Sequence, residues 1–216
     1  MKRLLIIGAG GFGREVLGWA LDIQPAQDQW EVAGFLDSNQ HALKDFSLKY
    51  PLIGDPLTFS PSPDDLLVCA IGDTRTKLRL CQHLVSRGAE FVSLIHPTVV
   101  MGPNCRIGHG CVLCPGVVLT TNVTLGNFVT LNVHATVGHD VVIGDGCTLN
   151  AHSDVTGCAK LGEGVFLGSH AVVLPNARVG DYAVVGAGSV VLKKVRPNTS
   201  VMGVPAKQIS GFADSQ

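Results

Sequence analysis

The chain of 216 residues has a formal net charge of −1, and 46% of its residues are hydrophobic while 15% are charged. This composition is typical of a soluble globular chain with one or two cores. Because the charge is near neutral and no run of Lys or Arg occurs, we expect neither nucleic acid nor a membrane as a partner. The first apolar segment, Leu4–Ile7, is too short for a signal peptide or a membrane span, so we expect a cytoplasmic protein.

Strands alternate with helices over residues 1–93, which predicts a small Rossmann-like domain with a parallel α/β sheet. The predicted strands are Leu4–Ile7, Glu31–Leu36 and Leu66–Ile71, the predicted helices are Arg14–Asp22 and Thr74–Arg87, and Phe91–Leu94 closes the domain. Four prolines predict irregular loops between the second and third strands: Pro51, Pro56, Pro61 and Pro63.

A glycine-rich loop follows the first strand and matches G-x-G-x-x-G over residues 8–13, with the acidic Asp37 at the end of the next strand. Glycines let the backbone approach a phosphate, and the N-terminus of the following helix favours negative charge. A domain of 93 residues has room for one mononucleotide-binding half, so the pattern favours a nucleotide or nucleotide sugar over NAD. A structural tight turn is the alternative.

From Ile95 onward, every sixth residue up to Val191 is aliphatic, and the fourth residue after each start is Val, Cys, Ala or Ser from Val99 to Ser189. A period of six fits neither an α-helix nor a simple strand. It predicts a short strand and a corner in each repeat, with one large and one small side chain inward, as in a parallel β-helix over residues 94–216 with a C-terminal tail.

This stretch resembles the left-handed β-helix acyltransferases over its whole length. The resemblance implies a triangular cross-section in which three repeats make one turn, so that residues 18 apart stack and the repeats make a little over five turns.

The seven cysteines are predicted to be structural and to bind no metal. Cys105, Cys111 and Cys147 fall on the small inward position, where Cys acts as a small hydrophobe. Cys111 and Cys114 do match C-x-x-C, but without a second pair this is a weak indication of zinc.

Four motifs carry a closer resemblance: GAGGFG at 8–13, VGHDVVIGD at 137–145, FLGSHAVVLPN at 166–176 and VMGVPAK at 201–207. They resemble, end to end, the bacterial sugar acetyltransferases that include the bacillosamine-pathway N-acetyltransferase and the sialic-acid O-acetyltransferase-like proteins. The resemblance implies a homotrimer with its sites between adjacent β-helices. It also implies transfer from acetyl-CoA to the 4-amino group of a nucleotide-linked 4-amino-4,6-dideoxysugar, with UDP as the expected nucleotide.

Acetylation of an amine needs a base, because the attacking ammonium must lose a proton, and a histidine titrates in the right range. His139 lies off the two inward positions and is followed directly by Asp140. By the resemblance, His139 is the general base and Asp140 raises its basicity. Gly157, 18 residues after His139, leaves room for the acetyl group and offers a backbone N–H to the oxyanion of the intermediate.

The resemblance also implies binding residues for both substrates. Those for the nucleotide sugar are Gly10, Gly11, Phe12, Asp37, Ser38 and Gly72, with Asn132 near the amino sugar. Asn132 and Asn150, 18 apart, have an amide ladder as their alternative role. Those for acetyl-CoA are Thr148, Ser169 and Ala187, and a C-terminal group of basic residues suits the CoA phosphates: Lys193, Lys194, Arg196 and Lys207.

Three other functions stay open. An O-acetyltransferase would use the same machinery on a sugar hydroxyl, and a non-catalytic scaffold would bind the sugar nucleotide without His139 as a base. The histidine column His134, His152 and His170, again spaced by 18, raises a third function. Carbonic anhydrases of the same fold bind zinc through two histidines spaced like His134 and His139, but the position of their third ligand is Thr98 here.

Overall fold

The computed structural model describes residues 1–23 and 30–209. Its first part is a five-stranded parallel sheet in the order β3-β2-β1-β4-β5, with one helix after β1 and one after β4. The elements are β1 (Lys2–Ile7), α1 (Gly11–Ile23), β2 (Trp30–Leu36), β3 (Leu52–Gly54), β4 (Asp65–Cys69), α2 (Thr74–Ser86) and β5 (Glu90–Phe91). No helix in the described ranges is long and apolar enough to cross a membrane.

The central strand β1 is buried on both faces, as expected when helices cover a parallel sheet on both sides. Its side chains alternate, so that Leu4 and Ile6 pack in a cluster with α1 while Leu5 and Ile7 pack in a cluster with α2. The five elements predicted over residues 1–87 are therefore confirmed, with ends that differ by three residues or fewer.

Strand β3 lies where the sequence predicts irregular loops, so that prediction was wrong for Leu52–Gly54. The strand sits at the edge of the sheet, where the missing N–H of a neighbouring proline breaks no ladder bond. The Pro51 carbonyl accepts a hydrogen bond from the Phe35 N–H at 3.0 Å. Gly34, next to Phe35, allows this approach because a side chain at Gly34 would overlap the Pro51 carbonyl.

The second part is a left-handed parallel β-helix with three sheets of six, six and eight strands. Its strands are β6 (Leu94–Ile95), β7 (Val100–Met101), β8 (Arg106–Ile107), β9 (Val112–Leu113), β10 (Val118–Leu119), β11 (Thr124–Leu125), β12 (Thr130–Leu131), β13 (Thr136–Val137), β14 (Val142–Ile143), β15 (Thr148–Leu149), β16 (Asp154–Val155), β17 (Lys160–Leu161), β18 (Phe166–Leu167), β19 (Val172–Val173), β20 (Arg178–Val179), β21 (Val184–Val185), β22 (Val190–Val191), β23 (Lys194–Val195), β24 (Ser200–Met202) and β25 (Lys207–Ile209).

The large inward positions are at most 3% exposed from Leu113 to Val191, which confirms the predicted register. In the first turn no further turn lies beneath, and Met101 is 41% exposed there. Cys111 and Cys147 are fully buried as predicted, whereas Cys105 in this first turn is partly buried. The end turns therefore shield their inward positions less than the middle turns do.

The β-helix continues beyond the point where the six-residue period ends. Arg178 pairs with Lys194 and Val184 with Ser200, so the pairing distance falls from 18 to 16 residues after β22. One corner is two residues shorter than the others. The shorter corner interrupts the six-residue period of the sequence, but the strands continue to stack. The sheets hold six turns as a result, against the predicted five and a fraction.

Helix α2 packs against one face of the β-helix through a buried lysine. Lys77 is 1% exposed, and its Nζ lies 3.1 Å from Thr130 Oγ1, 3.0 Å from the Cys147 carbonyl and 2.8 Å from Thr148 Oγ1. Phe91 and Phe128 add an edge-to-face contact with ring centroids 5.0 Å apart. A division into domains at residues 1–93 and 94–216 stays a prediction, and this contact joins the two parts.

Candidate active site

His139 and Asp140 lie at the corner after β13, where Asp140 belongs to a column of residues with a left-handed backbone conformation. Asn104, Asn122, Asp140, Cys158 and Asn176 all have φ between 56° and 63° at this corner. Asn and Asp tolerate this backbone conformation better than most residues do. Asn122 Nδ2 donates to Asp140 Oδ1 at 3.0 Å, so the turn below holds the carboxylate in place.

The imidazole of His139 is joined to this carboxylate. Nδ1 of His139 lies 2.8 Å from Oδ2 of Asp140, and the two side chains are 60% and 49% exposed. The hydrogen bond from His139, followed by that from Asn122, lowers the pKa of Asp140. An ionised carboxylate at Nδ1 favours the tautomer with its proton on Nδ1, which leaves Nε2 free to accept a proton.

Gly157 lies directly in front of Nε2. A Cβ at this position would lie 2.6 Å from His139 Cε1 and closer still to Nε2, so any side chain would displace the ring. Within residues 1–23 and 30–209, the Gly157 N–H has no hydrogen-bond acceptor. The corner therefore brings together a proton acceptor and a free backbone donor, as a base and an oxyanion site would require.

A cleft of about 390 Å³ lies at the carboxyl ends of β1, β2 and β4, the edge at which parallel α/β sheets bind their ligands. Its lining includes five of the six residues predicted to bind the nucleotide sugar: Gly10, Gly11, Phe12, Asp37 and Ser38. Side chains at Gly10 and Gly11 would meet nothing within 4 Å, so the backbone of the loop is open to the cleft.

Asp37 positions this loop. Its Oδ2 accepts the Ala9 N–H at 2.8 Å, and its Oδ1 accepts the Asn39 N–H at 2.8 Å. Ser38 Oγ donates to Asp55 Oδ1 at 2.8 Å. These bonds fix the cleft before any ligand binds.

The structure places Gly72 and Thr148 differently from the sequence prediction, which assigned them to two different ligands. Thr148 is 2% exposed, and its Oγ1 lies 2.9 Å from the Gly72 carbonyl and 2.8 Å from the Nζ of Lys77. Both residues belong to the contact between α2 and the β-helix. Helix α2 covers Thr148 in the folded chain, and contact of this residue with acetyl-CoA stays a prediction.

Asn132 and Asn150 do not form the amide ladder that is their alternative role. Asn132 Oδ1 accepts the N–H of Val133 at 2.7 Å, and Asn150 Nδ2 donates to the Leu167 carbonyl at 2.8 Å. Each side-chain amide is hydrogen-bonded to a backbone group. The Nδ2 of Asn132 is therefore available to another acceptor.

At the C-terminal end of the β-helix, a cavity of about 400 Å³ brings the four basic residues of the sequence prediction together: Lys193, Lys194, Arg196 and Lys207. Ser169 and Ala187 lie on adjacent turns, half-buried and exposed, with the Ser169 carbonyl accepting the Gly188 N–H at 2.9 Å. The four basic side chains make this cavity suitable for an anionic group.

The His134, His152 and His170 rings stack as the 18-residue spacing predicts, with centroids 5.2 and 4.9 Å apart and planes within 9°. Thr98, at the third ligand position of the carbonic anhydrase alternative, is instead bonded to His96 Nδ1 at 2.8 Å. Sequence reasoning missed Cys158, whose Sγ lies within 4.8 Å of ligand atoms of His139 and Asp140. The same spacing, applied to Asp140, would have found it.

Comparison with protein families supports this description. The profile of the PglD N-terminal domain matches residues 3–84. The profile of the hexapeptide repeat of succinyl-transferase matches residues 98–132, and that of the bacterial transferase hexapeptide matches residues 158–193. A search of curated protein sequences found no significant match.

Solved structures match over nearly the whole chain. PerB from Caulobacter crescentus, in complex with CoA and GDP-perosamine, is 30% identical with a TM-score of 0.87, covering 97% of this chain and 98% of PerB. The acetyltransferase domain of PglB from Neisseria gonorrhoeae is 27% identical with a TM-score of 0.86, covering 97% of this chain and 100% of that domain. WeeI from Acinetobacter baumannii is 27% identical with a TM-score of 0.85, over the same shares of the two chains.

The fold and the site together define an acyltransferase of the left-handed β-helix class. The chain belongs to the hexapeptide-repeat sugar acetyltransferases that carry a PglD-type N-terminal domain. Structural relatives in this family act on nucleotide-sugar amines and bind CoA or acetyl-CoA.

Proposed function

We propose that this chain transfers the acetyl group of acetyl-CoA to the 4-amino group of a nucleotide-linked 4-amino-4,6-dideoxysugar, with His139 as the general base. The observation that carries the proposal is the geometry of the corner. Asp140 holds Nδ1 of His139 at 2.8 Å, and Nε2 faces the open side of Gly157. GDP-perosamine, bound by the relative from Caulobacter crescentus, is an amino-sugar nucleotide and supports the same acceptor class.

In the proposed reaction, the sugar amine attacks the thioester carbonyl of acetyl-CoA while Nε2 of His139 takes the amine proton. The carbonyl oxygen becomes an oxyanion, and the Gly157 N–H donates a hydrogen bond to it. Such a donor contributes about 3–4 kcal/mol in well-studied enzymes. The C–S bond then breaks, and the imidazolium returns the proton to the CoA thiolate. Asp140 stabilises the imidazolium between these two steps.

The substrates are assigned to the two clefts by charge and shape. The pyrophosphate of the nucleotide sugar faces the N–H groups of Gly10 and Gly11 at the start of α1, where the helix dipole favours anions. Phe12, Asp37 and Ser38 line the rest of this cleft. The pantetheine arm of acetyl-CoA runs past Ser169 and Ala187, and its phosphates lie near the basic cavity at the C-terminal end.

The chain is proposed to act as a homotrimer, with each site between two β-helices. Asn132 would then lie near the amino sugar, and its Nδ2 has no hydrogen-bond acceptor within residues 1–23 and 30–209. UDP is the nucleotide expected from the sequence, and GDP is the one that the Caulobacter crescentus relative binds.

The first prediction tests reaction, acceptor and base together. Release of free thiol from acetyl-CoA is measured with UDP-, dTDP- and GDP-linked 4-amino-4,6-dideoxysugars, and with matched sugars that carry a hydroxyl in place of the amine. We expect rapid release with an amino sugar. Because general base catalysis contributes about 10²–10⁴-fold, His139→Ala should lower turnover by at least about 100-fold.

His109→Ala is the matched control, since His109 is another exposed histidine of the same β-helix and lies outside the corner. It should retain turnover near that of the unmodified protein. Release of thiol only with the hydroxyl-bearing sugars would overturn the N-acetyltransferase proposal and support an O-acetyltransferase. Near-normal turnover of His139→Ala would remove its role as the base.

A further inference from the structure

Cys158 occupies a corner position at which four other turns carry an amide or a carboxylate: Asn104, Asn122, Asp140 and Asn176. Asn and Asp suit a φ near 60° because their side chains bond locally, and Cys has no such advantage. Within residues 1–23 and 30–209, the Cys158 thiol makes no hydrogen bond. Neither the backbone nor local bonding therefore explains the cysteine.

The Cys158 thiol lies close to two other side chains that can ligate a metal ion. An imidazole nitrogen of His139, a carboxylate oxygen of Asp140 and Sγ of Cys158 all lie within 4.8 Å of one another. Two adjacent turns hold them, because the Cys158 N–H donates to the His139 carbonyl at 2.8 Å and Asn122 anchors the Asp140 carboxylate at 3.0 Å. The donors are therefore held on a rigid backbone with exposed or half-buried side chains.

A tetrahedral ion such as Zn²⁺ is bound at about 2.0–2.3 Å by nitrogen, oxygen and thiolate ligands, and sites with three protein ligands keep a fourth position for water. Such bond lengths place any two ligand atoms about 3.3–3.6 Å apart. The 2.8 Å between His139 Nδ1 and Asp140 Oδ2 would open slightly, and the distances to Sγ would close by rotation of exposed side chains.

We propose that His139, Asp140 and Cys158 form a binding site for a thiophilic divalent cation, with Zn²⁺ as the type, and that the bound ion blocks acetyl transfer. An ion on Nδ1 of His139 displaces the hydrogen bond to Asp140 and leaves the imidazole proton on Nε2. The nitrogen that faces Gly157 then cannot accept the amine proton. Binding stands on the geometry alone, and the inhibition rests on the proposed function of His139.

The His134, His152 and His170 column is a poorer site for the same ion. Its rings are parallel to within 9°, and their centroids are about 5 Å apart. The lone pair of an imidazole nitrogen lies in the plane of its ring, so the lone pairs of parallel stacked rings do not converge on one point. The test nevertheless includes this column as a competing site.

Binding is measured on the full-length protein without substrates, under nitrogen, by titration with Co²⁺ and then with Zn²⁺. We expect one Co²⁺ per chain with a thiolate-to-cobalt charge-transfer absorption, displaced by Zn²⁺. Cys158→Asn is the matched variant, because Asn suits the corner and lacks the thiolate. Loss of an outer-shell partner alone weakens metal binding about 10–100-fold, so loss of this ligand should weaken Zn²⁺ binding by at least about 100-fold.

Two controls separate this site from others on the chain. Cys105→Ala removes the other partly buried thiol of the β-helix, and His152→Ala interrupts the stacked column. Both should bind Co²⁺ with the same absorption and affinity as the unmodified protein. Absence of the thiolate absorption, or its persistence in Cys158→Asn, would overturn the site. Loss of Zn²⁺ binding in His152→Ala would assign the ion to the column instead.

Inhibition is measured as the ratio of acetyl-transfer rates with and without Zn²⁺. Each protein is thereby compared with itself, and a different basal rate in a variant does not affect the comparison. In the unmodified protein we expect a ratio below about one tenth, because loss of the base lowers the rate by at least about 100-fold in each chain that holds an ion. Removal of the ion with EDTA should return the rate to its value without Zn²⁺. In Cys158→Asn the ratio should stay near one. If Co²⁺ binds but Zn²⁺ leaves turnover unchanged, the metal site is supported and the proposed inhibition of acetyl transfer is overturned.

Discussion

The His139 imidazole is positioned by two residues that act from opposite sides of the ring. Asp140 holds Nδ1 through a short hydrogen bond, and Gly157 leaves the space in front of Nε2 empty. The Asp140 carboxylate is in turn held by Asn122 from the turn below. At the scale of single residues, the geometry of the corner thus depends on a glycine as much as on the hydrogen-bonded pair of His139 and Asp140.

Gly157→Ala should inactivate the protein without unfolding it. The added Cβ would lie 2.6 Å from Cε1 of His139, and the ring must move because Gly157 itself is built into the backbone of the corner. A displacement of about 1 Å in a catalytic group can lower turnover about 100-fold. The measurement is kcat with the amino-sugar acceptor, together with the temperature of thermal unfolding.

The double variant Gly157→Ala with His139→Ala tests whether the glycine acts through the histidine. If it does, the double variant should be no slower than His139→Ala alone, because residues that act as a unit are not additive. Gly18→Ala is a control on α1, where a Cβ meets nothing within 4 Å, and it should leave kcat unchanged. A Gly157→Ala protein with unchanged kcat would contradict the role of this open space.

At the scale of the elements, the contact between α2 and the β-helix depends on one buried amine. Burial lowers the pKa of Lys77 below its ordinary value of 10.5, and the surrounding cysteines only partly oppose this. The folded state therefore releases the Lys77 proton at lower pH than the unfolded chain does. Between the lowered pKa and 10.5 the unfolded state binds more protons, so the contribution of Lys77 to stability rises with pH.

Lys77→Met should remove this pH dependence, because Met has a similar length and no charge. The free energy of unfolding of the unmodified protein, relative to the variant, should rise toward alkaline pH with a slope of up to about 1.4 kcal/mol per pH unit. The measurement is urea unfolding at several values between neutral pH and pH 10, taking the difference between the two proteins at each value.

The difference between the two proteins is needed because buried thiols act in the opposite direction. Burial raises the pKa of Cys111 to about 11 and that of Cys147 to about 12, so these groups lower stability as the pH rises past the range in which an exposed thiol ionises. Lys160→Met, at an exposed lysine on β17, is the matched control and should show a constant difference. A constant difference for Lys77→Met as well would contradict the lowered pKa.

At the scale of the whole molecule, the cleft proposed to bind the nucleotide and the His139 corner lie on different parts of the chain. The cleft lies at the carboxyl edge of the α/β sheet, whereas His139 follows β13 in the middle of the β-helix. In the proposed trimer, the cleft of one subunit would serve the corner of its neighbour. Two variants that inactivate these two parts separately can test this arrangement.

Mixed trimers of His139→Ala and Gly11→Trp subunits should regain activity, although each variant alone is inactive. A Cβ at position 11 meets nothing within 4 Å, and we expect the bulk of a Trp side chain there to block the cleft that Gly11 lines. If each site uses two subunits, every mixed trimer keeps one complete site of three, or about one third of normal activity. The measurement is thiol release by trimers purified through a different tag on each variant.

The outcome separates three arrangements. Regained activity supports a shared site, whereas inactive mixed trimers would place the cleft and the base of each site in one subunit. A monomer or dimer in light scattering coupled to size-exclusion chromatography would contradict the trimer itself. His139→Ala should keep the same oligomeric state as the unmodified protein, because it removes a single side chain and leaves the buried core of the β-helix unchanged.

The sequence by itself determined the two kinds of fold and predicted that His139, Asp140 and Gly157 meet at one corner. Each repeat of the β-helix must bury one large and one small side chain, so the pattern recurs every six residues and the stacking register follows from it. Periodic burial and the glycine loop are local properties of a sequence. The 18-residue spacing predicted the stacked histidine column, and five residues that the resemblance assigned to the nucleotide sugar line one cleft.

Only the tertiary structure decided which residues the packing of α2 removes from the surface and which donors meet at the corner. Thr148 occupies an outward position of its strand, and nothing near it in sequence indicates that Lys77 and Gly72 cover it. The stacking of two turns brings Cys158 close to His139. The distance between the Cys158 thiol and the His139 imidazole depends on the rotamers of both side chains. Hydrophobic patterns record whether a residue is buried, whereas the partner that buries it comes from distant parts of the chain.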